Sequence, residues 1–281
     1  MSTEPSPGPA ASSDPAETGY RSQPVSFVRR GSRLQGRRQQ AWDELSDLFV
    51  IDVPRVRADT SVDPGYVFDA EAAFGRKAPL VVEIGSGLGE AVVHAAGEDP
   101  DRNYLAVEVY RPGLAHTLQR IGQRGLTNVR VVQANAPEVL GTMLPAASVE
   151  ELWLFFPDPW HKTKHHKRRL VKPGFDELAA RVLVPGGLWR LATDWSDYAV
   201  QMREVLEASA GFVNLHAGER AGADSPLTRV HAEGLEGREP SDDADTRGGW
   251  APRFEGRILT SFENKAHQAG RLIFDLTFRR L

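Results

Sequence analysis

The sequence predicts an α/β fold, with a doubly wound, mostly parallel sheet that ends in an antiparallel strand pair. Three observations predict it. Short apolar runs alternate with amphipathic helical stretches, which is how a parallel sheet is covered on both faces. The first apolar run breaks into a glycine-rich turn, as strands of open α/β sheets do beside a ligand. The last two strand candidates follow one another with no helical pattern between them, so they are expected as a hairpin whose connection is elaborated by a loop.

Each element has its own signal. Leu80-Val81-Val82-Glu83-Ile84 is a short apolar run closed by glycines, the mark of a buried strand. Residues 90–96 hold Ala91, Val92, Val93, Ala95 and Ala96 and read as a helix. Residues 104–109 are a second strand. Residues 112–123 put Leu114, Leu118 and Ile121 on one helical face, with Pro112 at a helix start, where a missing N–H costs nothing. Strands follow at 129–133 and 149–156. A helix at 175–184 is expected to stop at Pro185-Gly186-Gly187. A strand at 188–193, a helix at 198–208 and strand candidates at 212–216 and 272–278 complete the pattern. In the last, Leu272, Phe274, Leu276 and Phe278 share a face.

Residues 1–24 are rich in Pro, Ser, Gly and Ala and lack apolar periodicity, so a disordered tail is expected there. Residues 25–281 are expected as one domain, interrupted at 218–252 by a flexible, acidic, Gly-rich insertion. The chain has 281 residues and a net charge of −4. Its charges are segregated. Residues 1–20 hold three acids and no base, and residues 218–249 hold eight acids against four arginines, so the remainder is net basic. Residues 21–40 carry six arginines and no acid, and residues 160–173 carry six Lys and Arg with three histidines and no acid. Such clusters suit a polyanion. There are no cysteines, which excludes disulfides, a thiol nucleophile and Cys-ligated metals. No apolar run is long enough to span a bilayer, and the N-terminal residues lack the basic start and apolar stretch of a signal peptide. No membrane association and a cytoplasmic location are expected.

The turn Gly85-Ser86-Gly87-Leu88-Gly89 is GxGxG, not the dinucleotide GxGxxG. Its flanking acids narrow the ligand. Glu83, two residues before the first glycine, would repel a pyrophosphate yet favour a sulfonium or ammonium group. Glu108, at the end of the second strand, is placed to accept from ribose hydroxyls. Asn135, after the third strand, offers an amide to an adenine edge. Acids and an amide at successive strand ends describe a nucleoside with a positive tail, and put S-adenosyl-L-methionine ahead of a nicotinamide.

The fourth strand runs into Phe155-Phe156-Pro157-Asp158-Pro159-Trp160-His161-Lys162, in which two prolines fix the backbone around one acid. An aromatic and a basic run follow at once. Trp160 is open to two readings, base stacking or packing. His161 and His165 lie four residues apart, but the neighbouring cations would repel a metal, so none is expected.

With these segments the chain resembles the bacterial tRNA (guanine-N7-)-methyltransferases, of the class I S-adenosylmethionine-dependent methyltransferase fold. The resemblance rests on Ser26–Arg30, Val82–Gly89, Glu108–Gly113, Phe155–Lys162 with Lys167-Arg168-Arg169, Ala192–Trp195 and Leu259–Glu263. It implies a seven-stranded sheet, S-adenosyl-L-methionine as methyl donor and a guanine in the tRNA variable loop as acceptor. It implies that Glu83, Gly85, Gly87, Glu108, Asn135 and Asp158 bind the cofactor and that Asp158 is the catalytic acid. Lys162, Asp194, Thr260, Ser261, Phe262 and Glu263 are expected to touch substrate. Two residues depart from the family's usual pattern: Asn135 stands where Asp is common, and Ser261 where Lys is usual, which removes a substrate cation. On chemistry alone Asp194 also suits a helix N-cap. The competing readings are a nicotinamide dehydrogenase, a methyltransferase for another RNA base, and a non-catalytic RNA-binding protein on the same fold. The oligomeric state is open between monomer and homodimer.

Overall fold

The computed structural model describes residues 33–219 and 248–281. The expected tail at 1–24, the arginines before residue 33, the Ser26–Arg30 motif and the body of the acidic insertion lie outside these residues. Among the described residues, α1 (Arg37–Phe49) and α2 (Ala70–Phe74) precede β1 (Leu80–Ile84). Then come α3 (Glu90–Glu98), β2 (Asn103–Glu108), α4 (Arg111–Arg124) and β3 (Val129–Gln133). They are followed by β4 (Val149–Phe155), α5 (Phe175–Val182), β5 (Leu183–Thr193) and α6 (Ser196–Glu207). The chain closes with β6 (Phe212–Asn214), α7 (Ser261–Gln268) and β7 (Phe274–Arg280).

The strands form one seven-stranded sheet in the order β3-β2-β1-β4-β5-β7-β6. The first five run parallel, and β7 lies antiparallel between β5 and β6. Strand alternation divides the core into two layers. Val82, Ile84, Leu105, Leu152 and Leu191 pack with Phe175, Val182, Tyr198 and Met202 from α5 and α6. Val81, Ala106, Trp153 and Ala192 pack with Val92, Leu114, Leu118 and Ile121 from α3 and α4. Both faces of the central strands are therefore buried, which explains why β1, apart from Glu83, and the middle of β2 read as apolar runs.

The structure corrects three expectations. The last two strands do not form a simple hairpin, because α7 lies between them in the chain. Its start was written in the sequence as Thr-x-x-Glu: the Thr260 hydroxyl accepts from the Glu263 N–H at 3.1 Å. The Pro185-Gly186-Gly187 run does not stop a helix. The helix ends at Val182 and the chain enters β5 directly, with these residues forming a bulge in the strand. Val149 faces Leu183 while Glu151 faces Leu188, so the extra residues on β5 are looped out of the ladder. Finally, α1 and α2 were not foreseen. In α1 only Ala41 is fully buried, so its apolar stripe is faint. It docks on α4, where the Arg111 guanidinium sits 4.3 Å from the Trp42 ring.

The chain builds outward from β1 to β3 on one side, then returns to add β4 and β5 on the other. The crevice at the carboxyl ends of β1 and β4 is thus the switch point, where open α/β sheets bind ligands.

Candidate active site

At the end of β1 the backbone turns through Gly85–Gly89 into α3. The Gly85 N–H donates to the Val107 carbonyl at 2.8 Å, which pins the elbow to β2. Gly85 has a φ of 69°, and a Cβ built on it would meet no atom within 4 Å, so its bare face looks into open space. On the far side of the elbow, a Cβ on Gly113 would stand 2.3 Å from the Gly87 carbonyl oxygen. Only glycine lets the start of α4 come this close.

Carboxylates gather around this elbow. Glu83 alternates onto the α3 face of β1 and accepts from the Val92 N–H at 3.1 Å. Burial pushes its pKa up to about 8 against the pull of that bond, and the charges of Glu108 and Glu90 add to the rise. Glu108 accepts from the Gly87 N–H at 2.8 Å on one oxygen, and from the Val109 and Tyr110 N–H groups at 2.7 and 2.9 Å on the other. Burial raises its pKa too; the three N–H groups lower it and Asp158 pushes it up. A carboxylate has about four acceptor positions. Three are filled from the backbone, which fixes the group and leaves one on the oxygen facing Gly87.

The segment after β4 is strained and braced. Phe156 and Trp160 both have left-handed backbones, with φ of 53° and 49°, flanking Pro157-Asp158-Pro159. The buried Arg169 holds this loop from beneath. Its Nε donates to the Pro159 carbonyl and its Nη1 to Gln201, both at 2.8 Å, while Nη2 pairs with Asp197. Its guanidinium lies 4.8 Å from the ring of Tyr198, whose hydroxyl accepts from the Val171 N–H at 3.0 Å. Trp160 is covered by the Arg168 guanidinium at 4.8 Å.

Elbow and loop enclose a hollow of about 280 Å³. Of the residues expected from the sequence, Glu83, Gly85, Gly87, Glu108, Asn135, Asp158, Thr260 and Phe262 line it. Lys162, Asp194, Ser261 and Glu263 do not. Lys162 is exposed at the start of the basic turn Thr163–Arg168. Asp194 accepts from Arg271 Nε at 2.8 Å and does not cap α6, whose N-cap is Trp195. Glu263 is fully buried, held by Arg253 Nε at 2.7 Å and by Arg257. Ser261 turns its N–H and hydroxyl to Glu90. Sequence reasoning missed Glu90, Tyr110 and Arg168, which also line the hollow. For Glu90 a signal was present, an acid opening the helix directly behind a glycine elbow.

The donor set suits a cation with hydroxyl groups. Three carboxylates (Glu83, Glu108 and Asp158) and the Asn135 amide line the hollow beside the bare face of Gly85, Glu90 being engaged by Ser261 and Arg120, and the buried Ser86 hydroxyl has no partner among the described residues. Among the described residues no three His, Asp or Glu side chains gather as a metal site, and no helix is long and apolar enough to cross a membrane.

Comparison with known proteins gives the chemistry a context. A family model described as "Putative methyltransferase" matches residues 77–276. The chain is 61% identical over 297 aligned residues to the tRNA (guanine-N(7)-)-methyltransferase of Paenarthrobacter aurescens (strain TC1), with 99% of each chain covered. It is 65% identical over 280 residues to the protein of that name from Arthrobacter sp. (strain FB24), covering 93% of this chain and 88% of the other. Against the Bifidobacterium longum (strain NCC 2705) protein the identity is 43% over 270 residues, covering 91% and 88%.

Proposed function

Because the chain belongs to the tRNA (guanine-N(7)-)-methyltransferase family, we propose that it transfers a methyl group from S-adenosyl-L-methionine to N7 of a guanine in the tRNA variable loop. The observation that carries the cofactor assignment is the set of three carboxylates, Glu83, Glu108 and Asp158, and one amide around a bare glycine elbow at the switch point. Glu83 supplies negative charge for the donor's cationic tail, the remaining acceptor position of Glu108 takes a ribose hydroxyl, and Asn135 reads the adenine edge. Bound there, the donor supplies an electrophilic methyl group on a cationic sulfur.

Guanine N7 carries an in-plane lone pair and no proton, so no residue has to act as a base before attack. The acceptor becomes cationic as its N–C bond forms. The task left to the protein is alignment and a fixed negative charge beside that growing cation. Asp158 is held between two prolines on a braced loop and takes this role. Lys162, Lys164 and Lys167 are exposed on and beside the basic turn, where phosphates can reach them. Thr260 and Phe262, which line the hollow, form the acceptor side, while Ser261, Asp194 and Glu263 are held by Glu90, by Arg271 and by the pair Arg253 and Arg257.

The direct test incubates the pure protein with unmodified tRNA and methyl-labelled donor, followed by nucleoside analysis. N7-methylguanosine is expected. Label on another base, or binding of tRNA without transfer, would overturn the reading.

A further inference from the structure

Glu90 has no part in the roles above, yet its carboxylate ties α3 to a segment far along the chain. It opens α3 directly behind the elbow and lines the hollow. One oxygen accepts from both the N–H and the hydroxyl of Ser261, at 2.7 and 2.8 Å, across 171 residues of chain. The other accepts from Arg120 Nη2 at 3.2 Å. Ser261 is the first residue of α7. Its N–H is one that a helix start leaves without an intrahelical acceptor. Glu90 fills that vacancy from a different helix and sets a negative charge at the positive end of α7. Thr260 satisfies the Glu263 N–H of the same turn, so the start of α7 is capped twice.

The result is the placement of Phe262. It lines the hollow while half its surface remains exposed. A ring carbon lies 3.6 Å from where a Cβ of Gly87 would stand. Lys265 Nζ sits 5.6 Å from the centre of its ring. The segment on the acceptor side is therefore fastened by the Glu90 carboxylate to the helix that leaves the elbow, and both line the hollow.

We propose that Glu90 is a positioning residue that links occupation of the donor hollow to the order of residues 260–263, and through them to capture of tRNA. The proposal rests on the function given above. A ligand that fills the hollow touches the elbow and Phe262 together, and Glu90 fixes the gap between them. Such a link is reciprocal: the donor tightens tRNA binding by the factor by which tRNA tightens the donor.

Amide hydrogen exchange and steady-state kinetics test it together. In the unsubstituted chain, S-adenosylhomocysteine should slow exchange at residues 260–264 as well as at the elbow. In Glu90→Ala, protection of the elbow should persist while that of 260–264 is lost. The KM for tRNA should rise roughly five- to tenfold, the low end of ordinary coupling, with kcat changed less than about twofold. Glu90→Gln keeps an oxygen for Ser261 and should recover most of the KM. Adding Ser261→Ala to Glu90→Ala should raise the KM no further. Exchange at 260–264 that ignores S-adenosylhomocysteine in the unsubstituted chain would overturn the proposal. So would a Glu90→Gln protein with normal melting but no recovery of KM. Failure of the unsubstituted enzyme to make N7-methylguanosine counts against the proposed function instead, and the exchange result is read independently of it.

Discussion

Asp158 occupies a loop whose two flanking left-handed residues cost about 1–3 kcal/mol each, a strain that persists because Arg169 and the prolines over-determine the backbone. The role of fixed charge proposed for it makes Asp158→Ala a clean experiment. Turnover should fall at least about a hundredfold, in line with loss of one preorganised electrostatic group, while S-adenosylhomocysteine still binds in calorimetry. Near-normal turnover would remove Asp158 from the mechanism. Glu83 sets a pH dependence. Its pKa is raised from 4.5 to about 8, so below 4.5 its stabilising contribution to the ligand-free fold is complete. That contribution is lost as pH rises toward about 8, because the folded state retains a proton the unfolded chain gives up. A cationic ligand reverses the preference, since it favours ionised Glu83. Donor affinity should therefore rise with pH up to about 8, by at most about tenfold per unit, with proton release measurable by calorimetry in buffers of different ionisation enthalpy. An affinity independent of pH would show that Glu83 does not meet the donor's charge.

Among the elements, the link between α7 and β7 depends on buried charge. Arg257 is enclosed by Glu263 and by Asp275 of β7, and its guanidinium lies 5.1 Å from Phe155 and 5.5 Å from Phe156 at the root of the active-site loop. Burial alone would raise the pKa of Glu263, but Arg253 and Arg257 outweigh it and hold it below the usual range. Glu263→Ala leaves Arg257 short of one counter-charge in a dry site and should destabilise the fold by about 3–5 kcal/mol in urea denaturation. A loss under about 1 kcal/mol, with the KM for tRNA strongly raised, would mean instead that Glu263 serves the substrate and not the fold. The strands were legible because apolar runs closed by Gly and Pro are local signals. The start of α7 was legible in principle, from Thr260 and Glu263, but its polar, weakly periodic sequence hid it. The Pro-Gly-Gly in β5 misled for a related reason, since the same residues that end a helix also make a bulge, and only pairing with β4 distinguishes the two.

For the whole molecule, a ligand that binds only the folded chain stabilises it by mass action. S-adenosylhomocysteine at a hundred times its Kd should add about 2.7 kcal/mol and raise the melting temperature by roughly 5–10 °C, whereas NADH should not. Stabilisation by NADH alone would return the nicotinamide reading. The sequence by itself determined the strands and the helices between β1 and β6, the glycine elbow, and the acids Glu83, Glu108 and Asp158 in or just after strands. These depend on periodicity and on neighbours in the chain, and the rule that ligands sit at the switch point does the rest. Only the tertiary structure decided which acids face the hollow and which are tied up elsewhere. Asp194 is engaged by Arg271, Glu263 by two arginines and Ser261 by Glu90, all through packing. The energy of such pairs depends on distance and burial, which a pattern of residue types does not encode for groups as far apart in the chain as Glu90 and Ser261.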